Sequence, residues 1–322
     1  MTIGSQLPLR RFGTTGLEVT NLCIGCAPLG DMVDTFAYSV SEEQALATLR
    51  AAFGGPIRFI DTAASYGDGE SERRIGIGLA EHGGLPADYV LASKADRDLH
   101  TGEFSGAQIR RSVERSLRLL GLDSIQIMFL HDPEHTTFDA CMAPGGPVEV
   151  LLQMKDEGLI GHVGVAGGPI DLMIRYVETG AFEAVITHNR YTLLNRSADP
   201  LLTMAAERGL AVLNAAPYGS GILAKGPDAY PRYAYQEAPD LIIERARAMA
   251  EICSNYGVPL AAAALQFSLR DPRITSTIIG MTRPERIAQT VELANHAIPD
   301  AIWAELDEVG FQSDDPEAER FK

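Results

Sequence analysis

Three side chains capable of acid–base chemistry each close a run of residues that otherwise resembles a buried strand. Asp61, Lys94 and His131 follow such runs, and Tyr66 lies five residues after Asp61 in a predicted loop. A phenol has an ordinary pKa near ~10, and a neighbouring cation such as the Lys94 ammonium favours its ionised form and lowers that pKa. Asp61 would hold the ammonium, and His131 would hydrogen-bond a substrate oxygen. Together the four residues predict a proton-transfer centre that uses neither a nucleophile nor a metal.

These residues belong to an alternation of apolar runs and helical patterns that covers most of the chain. The apolar, mostly β-branched runs predict strands at 22–25, 58–61, 90–94, 125–130, 162–166, 184–187, 211–215 and 274–279. The helical patterns predict helices at 42–53, 71–81, 107–120, 148–157, 170–178, 200–208, 241–256 with a continuation to about 269, and 284–294. Apolar strands alternating with helices are typical of a parallel sheet covered on both faces, and eight repeats favour closure into a (β/α)8 TIM barrel. The C-terminal strand ends share one face of such a barrel, so the four residues would be neighbours there.

The other segments fit one predicted domain over the whole chain. A β-hairpin is predicted at 9–19, and Ser41 with Gln44 predicts a capping box at the start of the first long helix. Two stretches lack a periodic pattern, namely 217–240 and a C-terminal tail of about 310–322. Loops of that length are usually functional lids or disordered segments. Glycines that end helices are predicted at Gly121, Gly158, Gly180, Gly209 and Gly257.

Composition and charge disfavour several classes of protein. Hydrophobic residues make up 46% of the 322 residues and charged residues 22%, as in ordinary globular proteins. The longest weakly polar run, 258–265, is far shorter than the ~18–20 residues that span a bilayer. A formal charge of −16 disfavours nucleic acid and anionic membranes as partners. The N-terminal segment lacks an apolar signal region, so we expect a cytoplasmic protein; its oligomeric state stays open.

The four cysteines are too few and too scattered for a disulfide framework. Cys23 and Cys26 have C-x-x-C spacing, but they lie in a predicted strand, where residues three apart point to opposite faces. We therefore interpret them as small core residues.

Several motifs resemble those of the aldo-keto reductases, which are (β/α)8-barrel enzymes that use NAD(P)(H). The resemblance runs from residue 12 to about 294. One motif is the spacing from Asp61 through Tyr66 to Ser71 and Glu72, and the others are the segments 92–94, 130–132 and 278–286. It implies that Asp61, Tyr66, Lys94 and His131 form the catalytic tetrad and that a nicotinamide carries the hydride. Within the family the chain is most similar to the branch of D-threo-aldose 1-dehydrogenases, L-fucose dehydrogenases and pyridoxal 4-dehydrogenases. The segments that carry this closer likeness are 130–134, 189–194, 219–223 and 258–267.

The resemblance also implies a set of cofactor contacts, in which small residues and a helix N-terminus suit a phosphate. They are Gly25, His188, Tyr218, Gly219, Ser220, Gly221, Leu223, Gly280, Met281, Arg286, Gln289 and Thr290. The chain departs from the family at the nicotinamide: Ala166 and Gly167 replace a Ser-Asn pair, His188 replaces a glutamine, and Ala215 replaces a stacking tyrosine. Gly280 stands where a lysine often meets a 2′-phosphate, although Arg283 and Arg286 remain nearby in the sequence, so we predict NAD or NADP with a slight preference for NAD.

The resemblance implies a small-molecule substrate, namely an aldose oxidised to its lactone, or alternatively pyridoxal or another aldehyde. Tyr230, Tyr233 and Tyr235 crowd the long loop at 217–240 and would either wall the substrate pocket or pack the loop itself.

Other interpretations stay open at this level. Lys94 beside an acid and a tyrosine also suits a Schiff-base aldolase barrel, and a nucleotide-binding barrel can serve regulation without catalysis. The segment from His131 through Asp132 and Glu134 to His135 carries metal-ligand types. We nevertheless predict no metal there, because a catalytic zinc also needs a well-spaced third ligand and supporting groups.

Overall fold

The computed structural model describes residues 7–318, so residues 1–6 of the N-terminal segment and 319–322 of the predicted tail lie outside the described range. Strands β3 to β9 and β12 are parallel and close into a barrel in chain order, with β12 pairing to both β9 and β3. Strands β1 and β2 form an N-terminal hairpin, and β10 and β11 form a second one. The strands are β1 (Leu9–Arg11), β2 (Glu18–Thr20), β3 (Leu22–Gly25), β4 (Phe59–Asp61), β5 (Val90–Ala95), β6 (Ile125–His131), β7 (Ile160–Ala166), β8 (Ala184–His188), β9 (Ala211–Ala215), β10 (Arg232–Tyr233), β11 (Gln236–Glu237) and β12 (Ser276–Gly280).

Helices follow the barrel strands and cover the outside of the barrel, which confirms the predicted (β/α)8 fold. The helices are α1 (Val33–Phe36), α2 (Glu42–Phe53), α3 (Glu70–His82), α4 (Gly106–Leu120), α5 (Phe138–Met142), α6 (Pro147–Asp156), α7 (Ile170–Glu178), α8 (Asp199–Glu207), α9 (Ile222–Lys225), α10 (Asp240–Asn255), α11 (Leu260–Leu269), α12 (Glu285–Ala294) and α13 (Ala301–Glu308). No helix among residues 7–318 is both long and apolar enough to cross a membrane.

The apolar residues form two separate cores because side chains alternate between the two faces of each strand. One core fills the barrel, and a larger one lies between the barrel and its helices. The N-terminal hairpin closes the lower end of the barrel, where the edge of the Phe12 ring meets Phe59 at a centroid distance of 5.9 Å. Cys23 belongs to the inner core and Cys26 to the outer one, and both are free and buried as predicted. The open end of the barrel is therefore the C-terminal end of the strands.

Several local predictions are confirmed, and others are wrong for identifiable reasons. All five predicted helix-ending glycines have positive φ angles. The capping box is only half formed: Ser41 accepts from the backbone of Gln44, but the Gln44 side chain donates instead to the Thr282 carbonyl at 2.7 Å. The helical pattern after residue 241 is two helices, because Gly257 with φ 66° ends the first one and Pro259 caps the start of the second.

Both stretches predicted to be irregular contain or adjoin regular structure. The 217–240 loop carries α9 and the β10–β11 hairpin, and α13 precedes the C-terminal tail. These elements are short, so their hydrophobic patterns are too brief to be read from the sequence.

Candidate active site

Strands β4, β5 and β6 present Asp61, Lys94 and His131 at the open end of the barrel. Each of the three lies two positions after a residue of the inner core, so strand alternation turns it toward the barrel axis. Those preceding residues are Phe59, Ala92 and Phe129. Because the three strands are adjacent in the sheet, the side chains converge on one part of the rim.

Tyr66 reaches the same point from the loop after β4, and two glycines fix that loop. Gly67 adopts φ 62°, and a Cβ there would lie 2.0 Å from the Gly30 carbonyl oxygen. A Cβ on Gly30 would in turn meet the Tyr66 backbone at 2.7 Å. Only glycines allow the two loops to approach this closely. The position of the phenol therefore depends on backbone packing that surrounds it.

Lys94 connects the acid and the phenol directly. Its Nζ donates to both carboxylate oxygens of Asp61 at 2.7 and 2.8 Å, to the Thr62 carbonyl at 2.8 Å and to the Tyr66 hydroxyl at 3.0 Å. Burial lowers the pKa of Lys94, but the Asp61 charge and the Tyr66 hydroxyl outweigh it and raise the pKa above its ordinary value. Lys94 is therefore an ammonium ion that touches the phenol oxygen.

The phenol itself differs from the sequence-based expectation. Burial raises the pKa of Tyr66 above its ordinary value, and the opposing influence of Lys94 is smaller than that of burial. The predicted lowering by Lys94 is present but does not decide the net direction. Burial also raises the pKa of Asp61, against the pull of Lys94. The resting site thus holds a neutral phenol hydrogen-bonded to an ammonium, which is the form that donates a proton.

His131 completes the group, and a residue that the sequence reading missed holds it in place. The His131 ring stands edge-on to Tyr66 with centroids 5.9 Å apart, and its Nδ1 lies 2.7 Å from Asp96 Oδ1. Asp96 is 2% exposed and also accepts a hydrogen bond from the Ser65 backbone at 2.9 Å. Asp96 lies two residues after Lys94, so the alternation rule that selected Lys94 also selects Asp96.

Two carboxylates flank the His131 ring. Burial lowers the pKa of His131, but Asp132 and Asp96 together outweigh burial and raise it. Asp132 Oδ1 is 3.6 Å from Nε2, the ring nitrogen opposite Asp96. A raised pKa favours the imidazolium form, whose Nε2–H can donate to a substrate oxygen.

The metal-ligand types near His131 do not form a metal site. Within residues 7–318, no three His, Cys, Asp or Glu side chains come close enough together to hold a metal ion. Glu134 turns instead to the Gly168 backbone, whose N–H donates to Oε1 at 2.9 Å.

A cavity of about 820 Å³ opens above these residues, and most of the predicted cofactor contacts lie on its wall. The lining residues from that set are Gly25, His188, Tyr218, Ser220, Gly221, Gly280 and Arg286. The remaining predicted contacts do not line the cavity: Gly219, Leu223, Met281 and Thr290 are buried, and Gln289 is exposed. The Thr290 hydroxyl contacts the Met281 sulfur at 3.9 Å, and Gln289 accepts from Arg286 at 3.5 Å.

The wall of this cavity fits a nicotinamide dinucleotide. Tyr218 is 8% exposed, and its hydroxyl oxygen is buried without a hydrogen-bond partner in the described part of the chain. A buried polar atom of this kind is costly unless a ligand or a water pairs with it. Gly25 and Gly280 pair in register across β3 and β12, so no side chain narrows the cavity between them. A phosphate-bearing ligand would also meet Arg286 and Lys225, which lie close enough for Arg286 to lower the Lys225 pKa along with burial.

Aromatic side chains from two loops meet across the mouth of the cavity. Phe36 stacks on Tyr38 at 5.8 Å and meets the edge of Tyr235 at 6.2 Å. Lys225 lies over the rings of Tyr38 and Tyr230, at 5.3 and 3.9 Å. Of the three tyrosines singled out in the sequence, Tyr230 and Tyr235 line the cavity. The third, Tyr233, is 4% exposed and packs the loop itself.

This chain is similar to known oxidoreductases. A model of the aldo/keto reductase family matches residues 21–310. A D-threo-aldose 1-dehydrogenase from a Pseudomonas species is 33% identical, over 91% of this chain and 94% of its own. A pyridoxal 4-dehydrogenase from Microbacterium luteolum is 31% identical, over 94% of this chain and 98% of its own.

The fold agrees as well. The solved structure of an aldo-keto reductase from Bacillus halodurans superposes with a TM-score of 0.78, covering 98% of this chain and 99% of its own at 21% identity. At that identity the likeness supports the fold alone. The family match and the two dehydrogenases, together with the barrel, show that this chain belongs to the aldo/keto reductase family of oxidoreductases.

Proposed function

We propose that this chain is an NAD(P)-dependent dehydrogenase that oxidises the anomeric carbon of an aldose to the lactone, and that Asp61, Tyr66, Lys94 and His131 are its catalytic residues. The observation that carries the proposal is the contact of the Lys94 ammonium with both the Tyr66 hydroxyl and the Asp61 carboxylate, inside a cavity that fits a dinucleotide. A bound nicotinamide supplies the hydride acceptor or donor in this chemistry.

The roles of the protein groups follow from their contacts. In the direction of reduction, the Tyr66 hydroxyl donates its proton to the substrate oxygen, and Lys94 stabilises the phenolate that forms. In the direction of oxidation, the Tyr66 phenolate accepts the proton of the anomeric hydroxyl. Because burial raises the Tyr66 pKa, oxidation gains from higher pH. The Nε2–H of His131 orients the substrate oxygen in both directions.

Asp61 keeps Lys94 charged and in place. Its two contacts with Nζ fix the ammonium at the distance that lets it serve Tyr66. The same ion pair argues against the Schiff-base alternative, because a lysine with a raised pKa is protonated and not a nucleophile.

Support for an aldose comes from the polar groups around the catalytic centre and from the relative that acts on one. Ser65, Arg97 and Asp132 line the cavity beside His131 and offer donors and acceptors to sugar hydroxyls. The D-threo-aldose 1-dehydrogenase is 33% identical to this chain. Pyridoxal or another aldehyde is the alternative substrate, because the pyridoxal 4-dehydrogenase is nearly as similar and the aromatic mouth suits a flat ring.

We propose NAD as the preferred cofactor. Gly280 is exposed on the cavity wall and lacks the cation that often meets a 2′-phosphate. Arg283 and Arg286 line the same end of the cavity and leave NADP as the competing choice.

The test follows nicotinamide absorbance at 340 nm with aldoses, pyridoxal and small aldehydes, each with NAD and NADP. The proposal expects turnover with an aldose and NAD that exceeds turnover with pyridoxal. Turnover with aldehydes and with none of the aldoses would contradict the aldose assignment and support an aldehyde as the substrate. Tight cofactor binding without turnover on any of them would instead support the regulatory barrel.

A further inference from the structure

The C-terminal tail packs behind the part of the cavity wall that His188 lines. Residues 310–318 run along the segment after β8: the Gln312 N–H donates to the Leu194 carbonyl at 2.8 Å, and Gln312 accepts from the Arg196 N–H at 2.8 Å. The Asn195 side chain donates to the Asp314 carbonyl at 2.9 Å. These bonds carry the tail to Glu317, which is buried at 0% exposure.

Glu317 ends in a buried ionic group with two residues of the segment that closes β8. Its Oε2 lies 2.7 Å from Arg190 Nη1 and 2.9 Å from His188 Nε2. Asp315 binds the other arm of the Arg190 guanidinium at 2.6 Å, and it accepts the Glu317 N–H at 2.9 Å. Arg190 itself is 0% exposed. A buried charge without these partners would be strongly unfavourable, so the tail and Arg190 require each other.

The glycines after β7 make room for this group. A Cβ on Gly168 would lie 2.9 Å from Arg190 Nη2, and a Cβ on Gly167 would lie 2.8 Å from Glu134 Oε2. Side chains at these two positions would have to displace the Arg190 guanidinium and the Glu134 carboxylate. Charged side chains fill the space behind the cavity wall instead.

His188 is the member of this group that reaches the cavity. Its Nε2 faces the Glu317 carboxylate, which can only accept, so Nε2 carries a proton. The longer contact of 3.4 Å with Arg190 Nη1, also a donor, is then not a hydrogen bond to that nitrogen. The ring nitrogen left for a ligand is therefore Nδ1.

We propose that Glu317 is a positioning residue for the nicotinamide: through its bond to Nε2 it fixes the tautomer and orientation of His188, so that Nδ1 binds the carboxamide. The proposal rests on the proposed nicotinamide-dependent function. It assigns the C-terminal tail a part in cofactor binding. When one ring nitrogen of a histidine donates a hydrogen bond to a carboxylate, that bond sets the tautomer and the orientation of the ring, and so the hydrogen-bonding role of the other nitrogen.

The test compares the dissociation constants of NAD and ADP-ribose by isothermal titration calorimetry, because ADP-ribose contains all of NAD except the nicotinamide. In Glu317→Gln, the new side-chain amide can turn either its oxygen or its N–H toward His188 Nε2. It therefore no longer selects one tautomer of the His188 ring. We expect NAD to bind about tenfold more weakly, the effect of one lost hydrogen bond, and ADP-ribose to bind as in the wild type. Asp314→Asn removes a carboxylate from an exposed position of the same tail, and we expect it to change neither constant.

A second variant separates positioning from folding. In His188→Gln, the new side chain carries both a donor and an acceptor and has no tautomer for Glu317 to select. Adding Glu317→Gln to this variant should therefore not weaken NAD binding further. Equal weakening of NAD and ADP-ribose in Glu317→Gln would overturn the proposal in favour of a structural role, and wild-type affinity for NAD would overturn it outright. If the wild-type protein binds neither NAD nor NADP, the proposed function fails, and this outcome is distinct from the others.

Discussion

Asp96→Asn tests the electrostatic environment of His131, the proposed catalytic histidine. The Asp96 carboxylate serves two donors at once, the Ser65 N–H at 2.9 Å and His131 Nδ1 at 2.7 Å. An amide has one oxygen, so it can keep only one of these bonds and loses the negative charge. A hydrogen bond between a buried ion and its partner contributes about 1.5–3 kcal/mol, and the imidazolium form of His131 should lose that much stabilisation. The pKa of His131 therefore falls in the variant.

The consequence appears in the pH dependence of reduction. An imidazolium can donate Nε2–H to a carbonyl oxygen, whereas neutral His131 with its proton on Nδ1 cannot. In Asp96→Asn the amide N–H can face Nδ1 and leave the proton of neutral His131 on Nε2. The limb of kcat/KM that falls as pH rises through the His131 pKa should therefore move to lower pH and become shallower, with a lower His131 pKa in a titration followed by NMR. Asp123→Asn removes the same charge two residues before β6, at the far end of the strand that carries His131, and should leave the profile unchanged. An unmoved limb in Asp96→Asn would refute the assignment of the limb to His131 and Asp96.

Three further predictions follow from other parts of the site. Lys94→Met leaves Asp61 buried and unpaired, so we expect a loss of about 3–5 kcal/mol in the free energy of unfolding in urea, partly restored by adding Asp61→Asn. Burial raises the pKa of Glu72 to about 7 despite the bond from Ser93, so the folded state binds a proton that the unfolded state releases, and stability falls by about 3 kcal/mol as pH rises from about 4.5 to beyond 7. Glu72→Gln should abolish that part of the pH dependence; identical slopes in both proteins would contradict it. Gly280→Lys should raise the NADP to NAD ratio of kcat/KM about tenfold, and an unchanged ratio would place the 2′-phosphate elsewhere.

The convergence of the candidate catalytic residues on the strands could be predicted from the sequence because it follows from strand alternation and the closed barrel. Asp61, Lys94 and His131 each lie two residues after an inward core residue, and a parallel barrel brings the ends of adjacent strands together. Asp96 obeys the same rule and was overlooked because it lies just beyond the end of β5. Polar residues just beyond the end of a barrel strand can thus face the same open end of the barrel as those within it.

Other features depend on contacts between distant segments and have no local signal. The net direction of the Tyr66 pKa depends on burial by the surrounding loops, which outweighs the nearby ammonium. The Gln44 side chain prefers the Thr282 carbonyl to its own helix start. The tail was predicted only as an irregular segment, yet Glu317 meets Arg190 across 127 positions of sequence. In each case, contacts with segments that are distant in the sequence outweigh the local pattern on which the prediction depends.

The most direct test of the catalytic assignment is turnover in Tyr66→Phe, with the dissociation constant of NAD measured on the same preparation. The substitution removes one oxygen atom, the acceptor of the 3.0 Å bond from Lys94, and leaves the ring against His131. We expect aldose oxidation to fall by about 10²–10⁴-fold, the usual contribution of a positioned acid or base, while NAD binds within about twofold of the wild-type value. Turnover close to that of the wild type would contradict the assignment of Tyr66 as the group that transfers the proton.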